Sequence, residues 1–136
     1  MLVRDIMTSP AVTIRPDDEA AEAARVLDRL SLTALPVVDH DLRLRGIISE
    51  ADLIARLATA PEDRPRVEDL MTRHVLAVSA DDDVTRVIIL MTGTILKSVP
   101  VLLRGRVVGM VSRRDVVRAV AQGELDASVY DALSRT

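Results

Sequence analysis

Three short strings recur along the chain in the same order. Val3-Arg-Asp-Ile-Met-Thr8 returns as Val67-Glu-Asp-Leu-Met-Thr72, Leu35-Pro-Val-Val38 as Val99-Pro-Val-Leu102, and Gly46-Ile-Ile-Ser-Glu-Ala-Asp52 as Gly109-Met-Val-Ser-Arg-Arg-Asp115. The first two pairs are 64 residues apart and the third 63, a difference of one deletion in the loop before the glycine. A repeat this regular restricts the fold to two copies of one supersecondary unit. Each copy, at roughly 60 residues, is too short to bury an ample core alone. The 136 residues are therefore expected to form two mutually dependent half-domains, and clefts on a pseudo-twofold axis are natural places for a ligand.

Both copies carry the same order of elements. Val12-Thr-Ile14 reads as a short strand ended by Pro16, after which Asp17 or Asp18 is expected to cap a helix whose Ala20, Ala23, Ala24, Leu27 and Leu30 follow helical spacing. Pro36-Val-Val38 reads as a strand, His40-Asp41 as a turn, Leu44 to Ile48 as a second strand, and a helix with Leu53, Ile54 and Leu57 begins near Ser49. The second copy repeats this with Leu76 to Val78, Val84 to Met91, Val99 to Leu103, Val107 to Val111 and Val116 to Ala121, and Gly93 is expected to end its first helix. Residues 1–59 are thus the first repeat, 60–66 a proline-interrupted linker, 67–121 the second repeat and 122–136 a tail. In the tail, Leu125, Val129 and Leu133 would share one side of a helix over Glu124 to Arg135.

Composition narrows the chemistry. With 18 basic and 21 acidic residues interspersed and a net charge of −3, there is no broad positive field for duplex DNA, and the lone tyrosine disfavours single-stranded nucleic acid, which recruits aromatic stacking platforms. The chain has no cysteine, which fits a reducing cytoplasm and leaves neither disulfides nor thiolate metal sites. No run approaches the roughly 20 apolar residues of a membrane span, so a soluble cytoplasmic protein is expected.

Few side chains are arranged for catalysis. His40 and His74 stand alone in polar turns, and Asp81-Asp-Asp83 opens a helix, where carboxylates cap free amides. The five glycines are too scattered for a phosphate loop of the P-loop or dinucleotide type. What remains is the doubled Gly-h-h-Ser-x-x-Asp, with h an apolar residue. Alone, it reads as a capping box at a strand-to-helix junction. Twice, each time after a strand with a hydrophobic-proline pair, it carries more.

In its Asp-h-Met-Thr opening, its h-Pro-Val-h strand and its Gly-h-h-Ser-x-x-Asp closing, the chain resembles the cystathionine β-synthase (CBS) domain, present as a tandem pair over residues 3 to 121. The resemblance implies an α/β fold, an α+β sandwich of two β-α-β-β-α repeats packed with pseudo-twofold symmetry. It also implies a cleft between repeats that takes an adenosyl ligand such as AMP, ADP, ATP or S-adenosylmethionine. The chemistry is consistent with this. A carboxylate at the first helical turn accepts from both ribose hydroxyls, and free amides there favour a phosphate.

Carried over by residue, the resemblance implies a favoured site of Thr13 with Met110, Ser112 and Asp115, in which Asp115 holds ribose. Thr33 and Lys97 face the cleft centre, and Lys97, Arg113 and Arg114 are the candidates for phosphate. The mirror site uses Ala77 with Ile47, Ser49 and Asp52. There Ala77 lacks the hydroxyl of Thr13, and Glu50-Ala51 replaces Arg113-Arg114, so phosphate is expected to bind more weakly. No catalytic residue and no metal ligand is expected.

The helix Val84 to Met91 is apolar on more than one face, and the resemblance favours a homodimer formed through such helices. The function expected is therefore a stand-alone regulatory module, not an enzyme, that binds an adenosyl ligand and signals to a separate effector protein. The alternative is a dimerising interaction module with a degenerate cleft.

Overall fold

In a computed structural model of the chain, residues 1–59, 63–93 and 96–125 are described, with the side chain of Leu57 left aside. The elements are one turn of 3-10 helix (Val3–Asp5), α1 (Ala20–Leu30), β1 (Ala34–Val38), β2 (Leu44–Ser49), α2 (Glu50–Thr59), α3 (Val67–Leu70), β3 (Val78–Ser79), α4 (Val84–Gly93), β4 (Ser98–Leu103), β5 (Arg106–Ser112) and α5 (Arg113–Ala121). This is the mixed helix and strand class expected; the order β-α-β-β-α is complete in the second copy, and in the first the opening strand is reduced to a single bridge at Ile14.

Two compact units emerge, and neither is a plain half of the sequence. One holds Val12–Val75 with Gly105–Val107, and is called here the α1–α2 unit. The other holds Met1–Ala11, Leu76–Arg104 and the chain from Val108 on, the α4–α5 unit. Each opening Asp-h-Met-Thr segment therefore seats on the body of the other repeat.

In the α1–α2 unit, Ala20, Ala23 and Leu27 of α1 pack with Ile14, Leu35, Val37, Ile48 and Leu53, and the core is completed by Val67 and Met71 from the second repeat's opening. The backbone secures that segment. Val67 N–H donates to Asp18 C=O (2.8 Å), Glu68 N–H to Pro16 C=O (2.9 Å) and Ala20 N–H to Pro65 C=O (2.9 Å). In the α4–α5 unit the same three bonds recur, from Val3 N–H to Asp82 C=O (2.9 Å), Arg4 N–H to Ala80 C=O (3.0 Å) and Val84 N–H to Met1 C=O (2.9 Å). Val3 and Ile6 join that unit's core with Val84, Val87, Val99, Val101 and Val111.

Strands β1 and β2 pair antiparallel, with Leu35 opposite Ile48 and Pro36 opposite Ile47. A proline is tolerated there because Ile47 turns its own N–H and C=O outward, to Thr72. Pro36 has a second effect. Ile14 joins β1 in parallel as a single bridge to Val37, and the expected strand Val12 to Ile14 goes no further because Pro36 has no N–H for the carbonyl of Val12. In the second copy, β3 begins at Val78 rather than Leu76 for the same reason, Pro100 standing where Pro36 does; β3 pairs parallel with β4, in the order β3-β4-β5.

Two other boundaries move. Neither Asp17 nor Asp18 caps α1; the helix starts from Glu19 without a side-chain cap, and Asp18 instead accepts from Arg15 N–H (2.9 Å) in the preceding turn. Helix α5 begins at Arg113, three residues before the expected Val116, because Ser112 caps it, whereas α4 ends at Gly93 as expected. Of the expected tail helix, only Glu124 and Leu125 are among the described residues, and Leu125 is buried in the α4–α5 core.

Candidate functional site

The two Gly-h-h-Ser-x-x-Asp strings are strand-to-helix junctions with one shared design. At the first, β2 ends at Ser49, whose N–H (2.9 Å) and hydroxyl (3.0 Å) both donate to Asp52 Oδ2, while Asp52 N–H returns to Ser49 Oγ (3.2 Å). At the second, Ser112 N–H (2.8 Å) and Oγ (3.2 Å) donate to Asp115 Oδ2, and Asp115 N–H returns to Ser112 Oγ (3.4 Å). These are reciprocal capping boxes, and they explain why a serine precedes an aspartate by three residues.

The glycine and the opening segment complete each junction. Thr72 exchanges both backbone hydrogen bonds with Ile47, at 2.8 and 2.9 Å, and Thr8 does the same with Met110, at 2.8 and 3.0 Å. A Cβ on Gly46 would lie 2.7 Å from Thr72 O and 2.9 Å from Met71 Sδ; on Gly109 it would lie 2.8 Å from both Thr8 O and Met7 Sδ. The Met-Thr of the opening thus lies directly on the glycine of the closing, so the two strings are the two halves of one joint. The threonine hydroxyls finish it, with Thr8 Oγ1 donating to Asp115 Oδ1 (3.0 Å) and Thr72 Oγ1 to Asp52 Oδ1 (3.4 Å).

The junctions differ in how much of the carboxylate is left over. Asp115 is 3% exposed, and its Oδ1 also accepts from Arg118 (3.2 Å), whose side chain is 55% exposed. Asp52 is half-buried, makes no ion pair among the described residues, and has Ala55 where its counterpart has Arg118. Neither Arg118 nor the two threonines were singled out as site residues from sequence. The threonines were legible as the last letter of a repeated string; the arginine had no signal beyond its place three residues after the aspartate.

The remaining expected residues fall into place by unit. Thr33 lies beside the first junction, its carbonyl accepting from Glu50 N–H (3.0 Å), and Lys97 lies likewise beside the second, accepting from Arg113 N–H (3.0 Å). Arg113 directs its guanidinium Nε to Leu96 C=O (3.1 Å), whereas Lys97 and Arg114 are exposed and form no ion pair with the described residues. Thr13 belongs to the α1–α2 unit with Thr33, Ile47, Ser49 and Asp52; Ala77 belongs to the α4–α5 unit with Lys97, Met110, Ser112, Arg113, Arg114 and Asp115. Both Thr13 and Ala77 are half-buried.

Carboxylates elsewhere do structural work. The backbone amide of Arg43 holds the Asp39 carboxyl below its ordinary value in the β1–β2 turn, and the amide of Thr85 does the same for Asp83, which caps α4. A cavity of about 420 Å³ in the α1–α2 unit is lined by Ala20, Ala24, Leu53 and Leu70, and by none of Ser49, Asp52 and Thr72. Among the described residues, no three histidine, aspartate or glutamate side chains come together as a metal site, and no helix is long and apolar enough to cross a membrane.

The CBS domain model matches residues 3–59 and again 67–122. The chain belongs to the CBS domain family, as a tandem pair. A CBS domain-containing protein of Dictyostelium discoideum is 33% identical over 131 residues, covering 86% of this CBS pair and 89% of the relative. An L-aspartate semialdehyde sulfurtransferase of Methanocaldococcus jannaschii is 35% identical over 118 residues, but this CBS pair spans only 23% of it, and 22% of that organism's inosine-5'-monophosphate dehydrogenase. Among solved structures, a CBS domain pair in complex with 5'-methylthioadenosine and S-adenosyl-L-methionine matches with a TM-score of 0.80 at 33% identity, covering 90% of this chain and 98% of that one. CBSX2 in complex with AMP matches with a TM-score of 0.81 at 28% identity, covering 91% and 98%.

Proposed function

We propose that this CBS pair is a regulatory module that binds an adenosyl ligand at its two strand-to-helix junctions and carries out no reaction of its own. One observation carries the reading. Each junction sets an aspartate carboxylate and a serine hydroxyl at the start of a helix, the groups a ribose diol and an adjoining anion require. The similar pairs solved with AMP, 5'-methylthioadenosine and S-adenosylmethionine support it. Asp115 and Asp52 are the proposed ribose acceptors, with Ser112 and Ser49 beside them. Lys97, Arg113 and Arg114 are the proposed phosphate ligands, and Thr13, Thr33, Ile47, Ala77 and Met110 the proposed residues toward the base.

Binding would act by differential affinity, stabilising the ligand-competent state against its alternatives, and a separate effector protein would read that state. Dimerisation belongs to the same proposal. Ile54 of α2 and Val117 of α5 stand at corresponding positions of the two repeats and are each 65% exposed, a placement suited to contact with a second copy.

The test is a thermal-shift panel of adenosine, AMP, ADP, ATP, 5'-methylthioadenosine and S-adenosylmethionine on the purified protein. A ligand at about a hundred times its dissociation constant stabilises by about 2.7 kcal/mol. The rise in Tm is expected to vanish when Asp52 and Asp115 are both replaced by asparagine. Silence from all six compounds would overturn the reading in favour of an interaction module with a degenerate cleft.

A further inference from the structure

We propose that Arg118 ranks the two junctions, so that a nucleoside fills the Asp52 junction before the Asp115 junction. This rests on the adenosyl-ligand reading and adds an order of occupancy to it. A carboxylate offers about four lone-pair positions. At Asp115 four donors meet them: Ser112 N–H and Oγ on Oδ2, and Thr8 Oγ1 and Arg118 on Oδ1. At Asp52 the serine pair is the same, but among the described residues Oδ1 meets only Thr72 Oγ1, at 3.4 Å, the longest of these contacts.

A ribose diol brings two hydroxyl donors that need acceptors. At Asp52 it meets a half-buried carboxylate with an open position on Oδ1. At Asp115 it must first displace a guanidinium from a carboxylate only 3% exposed. Arg118 is the partner that can yield, because its side chain is 55% exposed and rehydrates as it swings away, whereas Thr8 is held by two backbone bonds to Met110. The difference in donors to the two carboxylates traces to one position: Ala55 stands three residues after Asp52 where Arg118 stands three after Asp115.

Arg118 is thus a specificity-determining residue that acts by occupying the acceptor. Displacing one partly exposed ion pair corresponds to roughly a fivefold weaker dissociation constant. Adenosine is the suitable probe, because without a phosphate it gains nothing from the arginines at the second junction.

Isothermal titration of the full chain with adenosine tests this. Asp115→Asn leaves the Asp52 junction and Asp52→Asn leaves the Asp115 junction; the former protein is expected to bind roughly fivefold more tightly. Adding Arg118→Ala to Asp52→Asn is expected to close the gap, and adding Ala55→Arg to Asp115→Asn to weaken binding by a similar factor. Arg118→Ala and Ala55→Arg are also made singly in the otherwise unchanged chain, where both lie on exposed helix surface and leave the capping boxes intact. There the first should tighten the weaker phase and the second should weaken the tighter one. Equal affinities in the two asparagine variants, or no response to Arg118→Ala, would overturn the ranking while leaving the ligand reading intact. If neither adenosine, AMP nor S-adenosylmethionine binds the unchanged chain, both fail together.

Discussion

Replacing Gly109 with alanine probes the joint on which both repeats depend. The new methyl group would sit 2.8 Å from the Thr8 carbonyl oxygen and 2.8 Å from Met7 Sδ, with Met7 Cγ at 3.3 Å. The sulfur is near the end of a flexible side chain and can turn aside. The carbonyl cannot, because it accepts from Met110 N–H at 3.0 Å while Thr8 N–H donates to Met110 C=O at 2.8 Å. Moving Thr8 far enough stretches both bonds and draws its hydroxyl from the buried Asp115. Overpacking of this kind costs about 1–3 kcal/mol, set against roughly 0.5–1 kcal/mol gained by removing a glycine from a strand. The net expectation is a loss of about 1.5 kcal/mol, or roughly 5 °C in Tm for a chain of this length at about 2.1 cal/mol/K per residue. Gly46→Ala should behave alike, since its methyl would meet Thr72 O at 2.7 Å. Urea unfolding and calorimetry measure both. An unchanged or raised stability in either variant would refute the steric account, and full recovery in Gly109→Ala with Met7→Ala would show that the sulfur, not the carbonyl, sets the limit.

Three further outcomes are expected. Thr8→Val removes a donor from a buried carboxylate and should cost about 1.5 kcal/mol in urea unfolding, whereas Thr72→Val, whose contact is 3.4 Å, should cost clearly less. Asp83→Ala removes the cap of α4 and should cost about 1 kcal/mol at neutral pH. The folded-state pKa of Asp83 is lowered by its bonds to Thr85, so its contribution is complete above the ordinary value of 3.8 and is lost as pH falls through the folded value; the gap between wild type and variant should close in acid. Ile54→Lys with Val117→Lys changes two residues that are each 65% exposed. Light scattering should show a smaller species than the unchanged protein, with the melting temperature of the dilute protein nearly unaltered.

Much of the architecture could be read from local pattern. Helical spacing located α1 and α2, the Val-rich runs located β1, β4 and β5, and the serine and aspartate of each closing string announced the start of a helix. Misplaced boundaries have identifiable causes. Val12 and Leu76 look like strand residues by type, yet the carbonyl of each would need a donor from Pro36 or Pro100, which has none, and pairing fails for a reason held in a distant part of the chain. Asp17 and Asp18 are good caps by type, but Asp18 is engaged by Arg15 before the helix begins.

The sequence alone therefore determined that there are two copies of one unit, in what order their elements run, and which short strings matter, because periodicity, turn residues and caps act within a few residues of one another. Only the tertiary structure decided what those strings do to each other. The bond from Thr8 to Asp115 joins residues 107 apart, and the opening of each repeat lies against the closing of the other. It also decided which carboxylate is fully engaged. Arg118 is one more arginine on a helix until its guanidinium is found 3.2 Å from a buried aspartate, and Ala55 gains meaning only from the contrast. Spacing along a chain specifies which groups can come together locally. How many donors reach one oxygen atom depends on packing from elsewhere in the chain.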